Sequence, residues 1–275
     1  MTCAWKELLH ILPPRIRDPV DLRSKDTLQE LRLRHGQAPQ LVTCTGITTL
    51  PGDITEEELS FVINTASRYS PWASQTIAEG YLTGPGGHRI GVCGEAVMDH
   101  GTMKGIRTVR SLCIRVARDF PGIAQCAPMD GSVLILGPPG AGKTTLLRDL
   151  IRLRAGIAGI YISVVDERRE LFPNGFHQGR GIDVLSGCSK SHGIPMVLRA
   201  MGPSVIAVDE ITAKEDSLAL GQAFDCGVQI LATAHGASLE DIWNKPEYRL
   251  LMERKVFSWV IILQRDKSWR TERIT

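Results

Sequence analysis

Residues 133 to 147 read VLILGPPGAGKTTLL: a short apolar run stops in a loop of Gly and Pro, and a Lys and two Thr then open a segment with helical spacing. Gly137 to Thr144 meets the G-x-x-x-x-G-K-[ST] spacing without departure. The constraint is topological, because such a loop works only between a buried strand and a helix whose N-terminus points back at it. A chain built on it needs a sheet with helices packed on its faces. In this reading Gly137, Pro138, Pro139, Gly140, Ala141 and Gly142 form a loop whose backbone N–H groups wrap phosphates. Lys143 reaches the β and γ oxygens, and Thr144 offers a hydroxyl to Mg²⁺. Thr145 either touches nucleotide or packs at the helix start. The implied ligands are ATP and Mg²⁺.

SVIAVDE, residues 204 to 210, adds a buried strand ending in two acids. Asp209 can hold Mg²⁺ or one of its waters, and Glu210 can polarise a water for attack on a γ-phosphate. VVDERREL, 164 to 171, ends another strand with Asp166 and Glu167, at the sheet edge where open α/β folds build their sites. ILATAHG, 230 to 236, ends a further strand with Thr233 and His235, polar groups suited to sensing a γ-phosphate.

The chain divides into halves of different pattern. LQELRLRHGQAPQLVT, from residue 28, alternates apolar and basic residues around a His-Gly turn and predicts a hairpin. TEEELSFVINTASRYS predicts a helix capped by Thr55 and Glu58, and SPWASQTIAEG, ending at Gly80, a second short helix. The stretch from Tyr81 to Arg118 reads as strands joined by GPGG and DHG turns. Regularity lapses around DFPGIAQCAPMDGS, and beyond it SVLIL, GIYISVVD, SVIAVD and VQILATA alternate with helical segments, GIPMVLRAMG among them. The fold class expected is α/β: a P-loop NTPase domain with a mainly parallel sheet over 126–275, preceded by a smaller α+β domain, interacting or regulatory, over 1–125.

Composition narrows the function classes. Of 275 residues 43% are hydrophobic, enough for real cores, and a net charge of +2 argues against a strongly electrostatic partner such as nucleic acid or anionic lipid. No apolar stretch nears the roughly 18 residues that cross a bilayer, and the opening MTCAWKELLHILPP is too short and mixed for a secretory signal. A cytoplasmic chain is expected. The seven cysteines show no metal spacing and predict reduced, mostly buried thiols.

GPPGAGKT, VVDERREL, VIAVDE and TAHG stand in the order phosphate loop, acid-rich box, second acid motif and histidine box. In that order the chain resembles the RecA-like secretion ATPases of the type II and type IV kind. ELRLRHGQ, GHRIGVCGEAV and LRAMGPSVIAVDEI are similar to the stage III sporulation protein AA group, over nearly the whole chain. Thr212 departs from that pattern, which has Gly there. The resemblance implies a homo-hexameric ATP-hydrolysing motor on the mother-cell side, docked on integral-membrane proteins of a secretion-like complex between mother cell and forespore.

A ring of this kind needs a cation donated by a neighbouring subunit to the transition state. IRTVRSLCIRVAR offers Arg107 and Arg110, with Arg115 and Arg118 behind them, and Arg199 is a further candidate. The alternative reading is an ATP-dependent single-stranded nucleic-acid-binding protein with ELRLR or VRSLCIRVAR as a basic strip. A third is a nucleotide-gated scaffold that rarely turns over.

Overall fold

The computed structural model describes residues 2–24, 26–68, 77, 80–173 and 176–274. The helix expected over 70–80 falls almost wholly outside them. The chain forms two compact units, Met1–Asp119 with Pro173–Phe176, and Phe120–Phe172 with His177–Thr275.

In the first unit β1 (Thr2–Cys3) and β8 (Arg118–Asp119) form a short antiparallel pair. A larger sheet takes β2 (Leu28–Arg34), β3 (Gln40–Thr43), β4 (Gly46–Thr49), β5 (Tyr81–Thr83), β6 (Arg89–Asp99) and β7 (Thr102–Arg115) in the order β4-β3-β2-β7-β6-β5, every neighbour antiparallel. The predicted hairpin is β2 and β3, and the alternation in LRLR sends Leu31 and Leu33 into the core. Three helices, α1 (Trp5–Ile11), α2 (Pro14–Ser24) and α3 (Glu56–Ala66), supply Leu8, Ile16, Leu59 and Val62 to that core. The α3 capping box is present: Glu58 N–H donates to Thr55 Oγ1 at 3.3 Å and Thr55 N–H to Glu58 Oε2 at 3.1 Å.

The second unit is built on a seven-stranded sheet. Its elements are β9 (Val133–Gly137), α4 (Lys143–Ala155), β10 (Ile162–Asp166), β11 (Ile182–Ser186), α5 (Lys190–Met201), β12 (Val205–Glu210), α6 (Lys214–Asp225), β13 (Gln229–His235), α7 (Leu239–Trp243), α8 (Arg249–Glu253), β14 (Trp259–Leu263) and β15 (Trp269–Arg273). The order is β11-β10-β12-β13-β9-β14-β15, parallel throughout except for β15. Strand alternation divides the core in two. Val133, Ile135, Val205 and Ala207 pack with Leu146 and Leu150 of α4, while Leu134, Leu136, Ile206 and Val208 pack with Ile194 and Leu220 of α5 and α6. The α/β expectation holds, with an antiparallel-sheet unit ahead of a mainly parallel one. Periodicity had identified β9, β10, β12 and β13; β11, β14 and β15 are additions, and α5 begins at Lys190, ahead of the predicted start at Gly193.

The helix after the phosphate loop also anchors the segment that opens this unit. Asp149 accepts the N–H groups of Gly122 and Ala124 at 3.0 and 2.8 Å. Arg154, 1% exposed, donates to the carbonyls of Gly131, Pro128 and Asp130 at 2.7, 2.9 and 3.0 Å, and burial pushes its pKa down to about 10. A buried guanidinium is tolerated only with such partners, and its removal orphans three carbonyls. Arg154→Leu is therefore expected to cost about 3 kcal/mol of unfolding free energy, read by denaturant titration followed by circular dichroism.

The cysteine expectation needs correction. All seven are free, but Cys44, Cys93, Cys126 and Cys226 are exposed and the other three half-buried. They stand at turns, at strand stretches outside the core and just past a helix end, where backbone position overrides the preference of a thiol for burial. Among the described residues no helix is long and apolar enough to cross a membrane.

Candidate active site

The phosphate loop leaves β9 at Gly137 and enters α4 at Lys143. Gly142, the residue before the helix, has φ +103°, a conformation costly for any side chain, and this turn points the first N–H groups of α4 into the loop. Pro138 is half-buried and Pro139 and Gly140 are exposed, so the loop has an open face. Thr145 sits in the first turn of α4, half-buried.

Lys143 is the centre of the constellation. Its Nζ donates to the carbonyls of Gly137 and Pro138 at 3.0 and 3.2 Å and lies 3.0 Å from His235 Nδ1. Burial lowers its pKa, opposed by the charges of Glu210 and Asp209. Across the ring, His235 Nε2 is 3.0 Å from Glu210 Oε1. An ammonium can only donate, so Nδ1 accepts and Nε2 carries the proton given to Glu210; the neutral tautomer satisfies both contacts. One imidazole thus joins the loop lysine to the acid that ends β12.

Asp209 turns the other way. Its oxygens lie 3.3 and 3.4 Å from Thr144 Oγ1, and Thr233 Oγ1 donates to it at 3.2 Å. Burial, with the charges of Glu170 and Asp166 adding to it, pushes its pKa up to about 6. A hydroxyl and a carboxylate side by side are hard oxygen donors, the set Mg²⁺ takes when phosphates complete its shell. Among the described residues no three His, Cys, Asp or Glu side chains cluster to hold a metal by themselves.

The acids after β10 part company. Asp166 is fully buried and accepts the N–H groups of Glu170, Leu171 and Phe172 at 2.9, 2.9 and 3.3 Å, so it shapes the following loop and does not face the cleft. Glu167 does face it, in a cleft lined also by Val165, Arg168, Lys190, Asp209, Glu210 and Thr212. Sequence reasoning passed over Arg168, 4.0 Å from Glu210, and Lys190, which pairs with Glu167. It also passed over Lys245 and Lys267, which donate to the carbonyls of His235 and Gly140. No local pattern marks these cations; only the chain's return to the loop does. Thr212 bonds to Asp216 through both its N–H and its hydroxyl, at 3.1 and 3.3 Å, which occupies the position where glycine was expected.

The arginines are distributed differently. Arg107 and Arg110 stand on β7 in the first unit, where Arg107 pairs with Glu95 at 3.0 Å. Arg199 lies on α5 and donates to the carbonyl of Pro195, one turn back.

Comparison with known proteins places this arrangement. The family model described as "Sporulation stage III, protein AA" matches residues 4–273. The chain belongs to this family. The stage III sporulation protein AA of Bacillus subtilis (strain 168) is 34% identical over 285 aligned positions, covering 95% of this chain and 92% of that protein. Among solved structures, the Legionella pneumophila ATPase DotB superposes with a TM-score of 0.62 at 18% identity, over 95% of this chain and 81% of that one. The pilus retraction motor PilT with bound ADP superposes with a TM-score of 0.64 at 16% identity, over 93% and 77%. At those identities the likeness establishes the fold alone, one this chain shares with the ATPase DotB and the pilus retraction motor PilT.

Proposed function

We propose that this member of the sporulation stage III, protein AA family is a Mg²⁺-dependent ATPase. It works as a cytoplasmic homo-hexameric motor and passes its stroke to integral-membrane proteins of a secretion-like complex between mother cell and forespore. The observation that carries the catalytic part is the contact chain Lys143–His235–Glu210, which puts the phosphate-binding cation and a candidate base on either side of one imidazole at 3.0 Å each. The motor part rests on family membership and on the fold shared with DotB and PilT.

In this reading the N–H groups from Gly140 to Thr144 and the N-terminus of α4 hold the triphosphate, and Lys143 leaves its resting partners for the β and γ oxygens. Thr144 and Asp209 would hold Mg²⁺, which would supply positive charge to neutralise the phosphates. Glu210 accepts a proton from the water whose oxygen bonds to the γ-phosphorus as the bond to the ADP oxygen breaks. His235, freed by Lys143, is positioned to report that the γ-phosphate is present, and Glu167 completes the acid wall of the cleft. Arg107 and Arg110 supply the cation in trans. The pair that occupies Arg107 is exposed and screened by solvent, so its release costs little. The first unit is the one that meets partners.

The purified chain should bind ATP with Mg²⁺, release phosphate, and assemble into rings with nucleotide, as read by calorimetry, a phosphate assay and light scattering. Failure to bind adenine nucleotide in the presence of Mg²⁺ would overturn the reading.

A further inference from the structure

Lys190 is out of place by the rules of local structure. It is the first residue of α5, where the helix dipole disfavours a cation, and its side chain is only 7% exposed. Burying an ammonium is costly unless carboxylates compensate it. Two do. Its Nζ bonds to Glu167 Oε2 and lies 3.7 Å from Asp216 Oδ2.

Glu167 lines the cleft, and Asp216 holds the turn that carries another of its lining residues, Thr212. Glu167 directly follows β10, and Glu210 ends β12, its parallel neighbour in the sheet. Asp216 sits in the first turn of α6, where its Oδ2 accepts from Thr212 N–H, Thr212 Oγ1 and Ala213 N–H at 3.1, 3.3 and 3.2 Å. It therefore holds the turn that comes straight after Glu210. That turn has three hydrogen bonds of its own that do not involve the lysine. What the lysine adds is a tie between the turn and Glu167.

The backbone has been made to allow this. Gly193, one turn into α5, lies so close to β10 that a Cβ there would stand 2.6 Å from Val165 Cγ1. The missing side chain lets the start of α5 settle on the sheet and brings Lys190 to the cleft floor.

We infer that Lys190 is a positioning residue for hydrolysis: bridging Glu167 and Asp216, it holds the two acid-bearing loops in fixed register so that Glu167 and Glu210 face the same reacting phosphate. This rests on the ATPase reading above. Both ionic contacts of the lysine are to carboxylates, so its assigned effect is on turnover and not on nucleotide affinity.

Steady-state ATP hydrolysis by the purified chain, with affinity for a non-hydrolysable ATP analogue measured in parallel, tests it. In Lys190→Met, kcat should fall roughly 10- to 100-fold, the range typical of residues that orient a reacting group, with KM and analogue affinity within about threefold of the parent. Lys190→Arg, which keeps the charge, should recover most of the loss. In a Glu167→Gln background Lys190→Met should lower kcat by no more than about twofold, because residues acting as a unit are non-additive. If the methionine variant does not fold, Lys190→Gln, whose amide can donate to Asp216 but lacks the charge that ties it to Glu167, takes its place, with the fall in kcat expected at the lower end of that range, roughly 10-fold. An active parent with unchanged kcat in the neutral variant, fully additive losses with Glu167→Gln, or a loss confined to analogue affinity each overturns the inference and leaves the ATPase reading standing. A parent chain that does not hydrolyse ATP overturns the ATPase reading and this inference with it.

Discussion

Lys143→Ala is expected to weaken binding of Mg²⁺-ATP by about 10²- to 10³-fold, roughly 3–4 kcal/mol, the lower part of what removing one partner of a desolvated charged contact costs. The ammonium sits at the end of β9 among the Gly137 and Pro138 carbonyls and the His235 ring, in a loop otherwise furnished only with backbone dipoles and the start of α4. Alanine keeps the helix start and removes the one full positive charge that the loop itself carries. The resting lysine has three acceptors within 3.2 Å, and a triphosphate has to replace them. The net gain on binding is accordingly smaller than that of a bare charge–phosphate contact. Calorimetric titration measures it, and circular dichroism shows whether the fold survives. Alanine binding nucleotide as tightly as lysine would remove this side chain from the site.

Glu210→Gln should do the converse: bind ATP as the parent does and lose about 10²- to 10⁴-fold in kcat, the range attributed to a positioned general base. The substitution is nearly isosteric. Its carboxamide oxygen can still accept from His235 Nε2 at the 3.0 Å separation seen for the carboxylate, so geometry and nucleotide affinity persist. What disappears is the ability to take a proton from water. Asp209 cannot substitute for it, because its oxygens are engaged by the Thr144 and Thr233 hydroxyls on the other side of the strand end. Single-turnover hydrolysis with bound radiolabelled ATP separates the chemical step from binding and product release. Parent-like turnover in Glu210→Gln would show that another group activates the water.

Together the two variants divide the contact chain at His235. Loss of affinity at one end and loss of turnover at the other is what a shared imidazole between a binding cation and a base would produce. Both effects falling on the same parameter would mean that the chain of contacts serves folding alone.

Much of this site is written in short stretches of sequence. The phosphate loop, the acids ending β12 and the histidine ending β13 each depend on spacing within a single strand-to-loop step, and the parallel sheet that aligns them follows from alternating apolar strands and helices. The Thr55–Glu58 cap and the β2–β3 hairpin are local in the same way. Two of the strands that escaped notice lack a strong local signature, β11 having mixed burial at the sheet edge and β15 being largely exposed; β14, the buried apolar run WVIIL, was legible in the sequence and was passed over. The start of α5 reads three residues late in the sequence, at Gly193, because Lys190, Ser191 and His192 carry no apolar spacing to mark a helix; it runs from Lys190 through Gly193 and Pro195.

The order of motifs therefore determined, without any coordinates, that this chain is an α/β protein with a phosphate loop and acids at one sheet edge, because those features arise from the periodicity and turn chemistry of contiguous residues. Which acid of an adjacent pair faces the cleft was decided only in three dimensions: Asp166 turned inward to bind three backbone N–H groups while Glu167 met a lysine 23 residues away. The junction of Lys143 with His235, 92 residues apart, was decided there too. Electrostatic contacts act through space, and only packing of the finished sheet sets which distant charges come within hydrogen-bond reach.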